Sequence, residues 1–517
     1  MTRLAALALV LVLGLTTPAV ALTTYYVAPN STTAHTGAAA TPWTDIAQGW
    51  STINTTLATD DVTVYFTARK AASDTNETTT SGIALLRTDT STHRLTLDGM
   101  SQYSTSNSAP SWLPYSGASR FQITASLPVS SENFSSPFPM RNYITIRGYV
   151  LISTGGQIAA LEGMGNLIFE LNDASATSAA TNGAAVFTGI SGTGATNWGS
   201  HIIIRNNTIH DTQGECIYIG GSTPDPPGTG APTNTGDDIL IQGNTIMDCG
   251  RWGAQGDGVD TKDGHTNLRI IGNTIRLTNN TFALTDNQCM SIESADLIDG
   301  NYCEGRGIVT SAAWNTQVGR DRLIIRNNIF VAGTLGQGGT ASGAIELGEA
   351  HAAAYQWANT QVYNNSIYSF SGSCIQARAP RGASIVENNI MQACGGDAVT
   401  ANAAGLITTH DYNVFFAIGR NALALAGTNT TCAGIATRET HSNCVDPRFV
   451  NTSAPYADTH FRVQASSPVI GAGVDLSAIF TNDHSGVTRG VPWDIGAWAF
   501  TVSVGALPSA PTQLLLR

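Results

Sequence analysis

IIIRNNTI, residues 202–209, is followed by ILIQGNTI at 239–246 and RIIGNTI at 269–275. The phrase returns as LIIRNNIF at 323–330, QVYNNSI at 361–367 and IVENNIM at 385–391, with weaker copies ending at Asn301 and Asn413. Aligned, the asparagines are Asn207, Asn244, Asn273, Asn301, Asn328, Asn365, Asn389 and Asn413, spaced by 37, 29, 28, 27, 37, 24 and 24 residues. A spacing with a floor near 24 that varies upward marks a solenoid with insertions in some turns. Short strands without helical periodicity favour a parallel β-helix over leucine-rich or propeller repeats. Stacked about 4.8 Å apart, the asparagine amides can bond up and down the stack and satisfy turn backbone, a structural role.

A second strand follows each phrase: CIYIG at 216–220, GVDTK at 258–262, CMSIE at 289–293, GIVTS at 307–311, AIELG at 344–348, CIQAR at 374–378 and AVTAN at 398–402. Period-two alternation turns Ile217, Val259, Met290, Ile308, Ile345, Ile375 and Val399 inward. The next inward positions are Ile219, Thr261, Ile292, Thr310, Leu347, Ala377 and Ala401. A slip of one residue would expose the whole apolar column, so the alignment is well determined.

Only 12% of residues are charged, and the net charge is -12. Few helix formers and many small or β-branched residues suit short strands and tight turns. The negative balance argues against nucleic acid as a partner. Arg3, the apolar run 4–15 and Ala19-Val20-Ala21 read as a secretory signal peptide over residues 1–21. No later stretch is long and apolar enough for a membrane span, so a secreted, extracellular or periplasmic monomer is expected. Eight cysteines in an exported chain suggest disulfides, sequentially Cys216–Cys249, Cys289–Cys303, Cys374–Cys394 and Cys432–Cys444.

The ends of an open solenoid need covers. Ile46, Trp50, Ile53 and Leu57 form a helical stripe after Pro42-Trp43 and predict a short capping helix. The expected organisation is an N-terminal cap with irregular first coils over 22–140 and regular coils over 141–425. A loop-rich C-terminal cap over 426–500 and a tail over 501–517 complete it.

YYVAPN at 25–30 and PWTDI at 42–46, with DPRFVN at 446–451, SSPVIGAG at 466–473 and WDIGAWAF at 493–500, resemble the two ends of secreted pectate-lyase-like proteins. With the repeats between them, the resemblance spans nearly the whole mature chain. It implies an all-β, right-handed parallel β-helix, and a superfamily that includes lyases, hydrolases, epimerases and surface proteins without chemistry. The paired-aspartate and Gly-His-Gly pattern of polygalacturonases is absent, as is the histidine pattern of the main pectate lyases.

The outward positions of the second strand carry the candidate chemistry. One column reads Tyr218, Asp260, Ser291, Val309, Glu346, Gln376 and Thr400; its neighbour reads Gly220, Lys262, Glu293, Ser311, Gly348, Arg378 and Asn402. Before the strand stand Glu215, Asp257, Gln288, Arg306, Gly343, Ser373 and Asp397. Lys262 is one of two lysines, with Lys70. Glu215, Asp257, Asp260 and Asp263 form an oxygen-rich set for Ca²⁺. Lys262, its pKa depressed by the cation, would be the base of a uronate lyase, with Asp260 and Glu293 beside it. Arg306 and Arg378, with Glu346 and Tyr218, would bind an acidic polysaccharide.

Hydrolysis is the alternative: Asp260 and Glu293, one coil apart, have backbones roughly 8 Å apart, compatible with an inverting pair. A surface or adhesion protein that merely displays loops is the other. Lys262 and Glu293 are also placed for a plain surface ion pair. Trp252 and Trp314 are candidates for stacking on sugar rings, and His210, His265 and His351 form no spaced metal set.

Overall fold

The computed structural model describes residues 22–501 except 29–35, 40, 67–77, 80–82, 86, 88–90, 100–120, 126–133, 136–141, 154–156, 162–164, 177–184, 189–199, 221–236, 252–255, 263–264, 279–287, 311–321, 333–342, 349–358 and 379–382. The leader reading of 1–21, the tail beyond Thr501, Lys70, Trp252, Asp263, Ser311, Trp314 and His351 lie outside the described residues.

Each coil gives one strand to each of three long sheets, and the result is a right-handed parallel β-helix. The first sheet has 13 strands, from Leu22–Val27 to Ile407–Asp411. The second has 12, from Thr78–Thr79 to Val414–Phe416, and the third has 13, from Ile83–Ala84 to Thr428–Thr430. Every pairing between named strands is parallel until the last, where Thr428–Thr430 turns back antiparallel on Leu423–Leu425. Within one coil the order is visible in Ile202–Arg205, Thr208–His210 and Ile217–Ile219.

The interior is a set of stacked apolar columns. In the first sheet Ile204, Ile241, Ile270, Ile298, Ile325, Val362 and Val386 are in register and fully buried. In the third, both inward columns expected from the alternation are buried, Thr261 and Thr310 among them. Burying one such aliphatic side chain contributes about 1.5–3 kcal/mol, and a one-residue slip would forfeit the column. All four sequential disulfides are present, with no free cysteine among the described residues.

The turn between the first and second sheets explains the repeated phrase. Its first residue has a left-handed backbone: Asn206, Gly243, Gly272, Gly300, Asn327, Asn364 and Asn388 all have φ between 49° and 65°. Glycine and asparagine tolerate that conformation best. The second residue points in. Asn207 Nδ2 donates to Asn244 Oδ1 at 2.9 Å, Asn244 to Asn273 at 2.9 Å and Asn273 to Asn301 at 3.0 Å. The series runs on through Asn328, Asn365 and Asn389 to Asn413. It also starts one rung earlier than the phrase predicts, at Asn172. Leu171 holds the left-handed position there, so the rung carries no asparagine or glycine before it.

At the start, the predicted stripe is buried, but it belongs to a 3₁₀ turn, Ile46–Gln48, and a helix, Trp50–Thr56, joined at Gly49. At the other end, residues 426–500 do more than cover the last coil. Ile435, in the 3₁₀ helix Cys432–Thr437, joins the main core and closes the end. The rest folds back along the solenoid as a lateral brace. Phe449, Phe461, Val463, Val469, Ile495 and Trp498 pack on Tyr302, Ile329, Val331, Ile390 and Val414. Leu476, Phe480 and Trp493 pack on Ile324 and Tyr363. The first asparagine of three Asn-Asn pairs faces this brace: Asn327 Nδ2 donates to Asn482 O, Asn364 Nδ2 to Asp494 O, and Asn388 Nδ2 to Val474 O. Arg489, almost fully buried, donates to Asn327 Oδ1 and to the carbonyls of Gly496 and Ala497. Among the described residues no helix is long and apolar enough to cross a membrane.

Candidate functional site

The brace occupies the outer sides of the first and second sheets, which leaves the third sheet's outer face as the wall to inspect. Its register is the one the sequence predicts: Tyr218, Asp260, Ser291, Val309, Glu346, Gln376 and Thr400 are successive partners. Backbone bonds fix the neighbouring column, with Lys262 N donating to Ile219 O at 2.7 Å and Glu293 N to Thr261 O at 2.8 Å.

Two clusters form on this wall. In the first, Lys262 Nζ lies 2.8 Å from Asp260 Oδ2 and 3.4 Å from Glu293 Oε1, and 5.3 Å from the centre of the Tyr218 ring. Both carboxylates are almost fully buried, while the lysine side chain keeps 28% exposure. Gly220 makes room for it. At φ 128°, a Cβ on Gly220 would stand 2.5 Å from Lys262 Cβ. In the second cluster, Arg378 Nη2 lies 3.1 Å from Glu346 Oε2 and donates to Gln376 Oε1 at 3.1 Å, while Gly343 N donates to Glu346 Oε1. Three coils separate Asp260 from Glu346, roughly 14 Å at the sheet spacing, so the clusters are distinct. Arg306 pairs in register with Gln288.

Burial alone would lower the pKa of Lys262, but Asp260 and Glu293 outweigh it and raise it well above the ordinary value. In the company of these two carboxylates alone, Lys262 is held as an ammonium at neutral pH. Tyr218 is also raised, chiefly by burial, and stays a neutral phenol.

The proposed Ca²⁺ set fares poorly on the same geometry. Lys262 Nζ already stands against Asp260, where it would repel a divalent ion. One Asp257 oxygen accepts from Gln288 N at 2.6 Å. Among the described residues no three His, Cys, Asp or Glu side chains gather closely enough to hold a metal, and Asp263 lies outside them. No step is derived through the ion.

Gln288 is a ridge residue that sequence reasoning passed over. It is buried beside Asp257, and among the described residues its Oε1 accepts no hydrogen bond. Its signal was its column, between Asp257 and Arg306, although an amide there looked like one more polar turn residue.

No known protein family matches the sequence, and no curated protein matches it. Among solved structures, the chain is similar to PfbA, a surface adhesin of Streptococcus pneumoniae. The match has 13% identity and a TM-score of 0.31, over 70% of this chain and 77% of that one.

Proposed function

We propose that the outer face of the third sheet binds a neutral glycan and hydrolyses it with Asp260 and Glu293. The observation that carries this reading is the pair of buried carboxylates, from adjacent coils, that reach one ammonium at 2.8 and 3.4 Å. Two oxygens in contact with one nitrogen lie at most about 6 Å apart. That bound is below the roughly 6.5–9.5 Å of inverting pairs and admits the roughly 5–5.5 Å of retaining ones. The larger separation expected from backbone spacing does not survive, because both side chains lean toward Lys262.

In this reading Asp260, the closer partner of Lys262, is the nucleophile. One of its oxygens bonds to the anomeric carbon as the glycosidic C–O bond breaks; Glu293, the more distant partner of the ammonium at 3.4 Å, must enter this step as the protonated acid, and gives that proton to the departing oxygen. Water then attacks the anomeric carbon, returns a proton to Glu293 and releases the sugar from Asp260. Lys262 holds the two carboxylates together and offsets their repulsion.

β-Elimination is supported less well. A protonated Lys262 cannot take the proton next to a uronate. On the wall, Glu215, Asp257, Asp260, Glu293, Glu346 and Asp397 also outnumber Lys262, Arg306 and Arg378, which disfavours an acidic polymer. Export belongs to the same proposal, since four disulfides suit an oxidising, extracellular setting.

The test is product chemistry on a panel of neutral and uronate polysaccharides. The expected result is new reducing ends with retained anomeric configuration and no ultraviolet absorbance from an unsaturated sugar. Unsaturated product, above all if chelation abolished it and Ca²⁺ restored it, would return the site to the lyase reading. Saturable glycan binding with no product would make the wall an adhesion surface.

A further inference from the structure

We infer a second ligand site, on the brace: the pocket beside Arg462 takes a compact carboxylate-bearing molecule with one apolar face. The cavity, about 310 Å³, is lined by Val450, Arg462, Ser485, Val487, Trp498 and Phe500, among others. Its volume falls at the small end of ligand pockets. Five large hydrophobic side chains are exposed among the described residues, and two of them, Val450 at 56% and Val487 at 45%, stand at this one cavity. Apolar side chains left open around a concavity are characteristic of a surface that something covers.

The cation gives the occupant its charge. The Arg462 guanidinium lies 4.1 Å from the centre of the Trp498 ring, which is itself buried. Stacking fixes the plane of the guanidinium; among the described residues its N–H groups make no hydrogen bond or ion pair, although Asp458 is near enough to feel its charge, and a planar, two-oxygen acceptor suits that edge. Trp498 is held in turn, since its Nε1 donates to Asp458 O at 3.2 Å and His484 lies against its ring at 4.8 Å. The pocket's own carboxylate is committed elsewhere. Asp483 accepts from the backbone N–H groups of Ser485, Val487 and Ala499, and no ion pair joins it to Arg462 among the described residues. An outside carboxylate on a body that can lie against Val450, Val487 and Phe500 therefore completes the site. Two sources have that chemistry: an acidic sugar, and an aryl or alkyl acid. Trp498 packs toward the second sheet, so this pocket and the third-sheet wall face different ways and stand or fall separately.

The experiment titrates the full chain with glucuronate and benzoate, and with glucose and benzamide as their neutral counterparts, by calorimetry. At least one carboxylate is expected to bind saturably and its neutral counterpart about tenfold or more weakly, the scale of a charge-assisted bidentate contact. Which acid binds identifies the source. Arg462→Gln should cause the same loss with the unfolding midpoint unchanged. Val450→Asp, which adds negative charge at the rim without touching the cation, should weaken binding as well. Equal binding of acid and neutral counterpart, full binding by Arg462→Gln, or no binding of either acid overturns the proposal. Binding that arises only when the chain is cut after Thr501 also overturns it, because the pocket would then be filled by the protein's own chain.

Discussion

The asparagine ladder and the polar columns of the third sheet stand on the same coils and climb by the same rise. In the ladder the same residue recurs from Asn172 to Asn413, and each amide donates to the next at 2.9–3.2 Å. On the third sheet the residue changes at every step, from Tyr218 to Asp260 to Ser291 to Val309 to Glu346. A self-satisfying column can repeat indefinitely, since each rung supplies what its neighbour lacks. A column with acids and bases at particular rungs cannot. Its ion pairs reach across to the next column, as Lys262 does to Asp260 and Arg378 to Glu346. Repetition here marks scaffold, and the break in repetition marks chemistry.

The strongest way to break the comparison is to delete one rung. Asn301→Ala removes the acceptor of Asn273 N and Nδ2, at 2.9 and 3.0 Å, and the donor to Ile270 O at 2.9 Å. Asn273 Nδ2 keeps Ile241 O at 3.0 Å, but the buried Asn273 N–H loses its acceptor and Ile270 O loses this donor, at a cost of about 2–4 kcal/mol. Denaturant unfolding should show that loss, with the same size at every pH where the protein folds, because amides do not titrate. A loss under about 1 kcal/mol would mean that the ladder decorates the turn instead of holding it.

A smaller effect sharpens the contrast on a neighbouring face. His210, three residues beyond Asn207, lies 3.0 Å from Asp173 through Nε2 and 2.7 Å from Asp211 through Nδ1. The hydrogen bond with Asp173 is the main cause that raises its pKa from 6.5 to about 9; burial opposes the shift and Asp211 adds to it. The folded value is above the unfolded one, so this stabilisation is complete below pH 6.5 and lost as pH rises toward about 9. The thermal midpoint should fall across that window, and His210→Gln should flatten the decline. An unchanged slope in the variant would remove the assignment.

The ladder, the inward columns and the disulfide pairing were legible because each rests on strict repetition or pairing. The rung at Asn172 was not, because Leu171 breaks the phrase while its backbone keeps the turn. Nor was the brace. Its residues 445–500 carry no period, and its anchors are the outward asparagines Asn327, Asn364 and Asn388, which looked like half of a turn signal. The charge state of Lys262 was illegible for another reason. The sequence places two acids near it, but only side-chain geometry decides that both reach the ammonium.

The central claim is that Asp260 and Glu293 act as one pair on the third sheet. Turnover by Asp260→Asn and Glu293→Gln, on a polymer the parent protein cleaves, tests it most directly. The account predicts that each variant loses nearly all hydrolysis while Glu346→Gln, on the second cluster, keeps most of its turnover number. Cleavage at the parent rate by either Asp260→Asn or Glu293→Gln would contradict it.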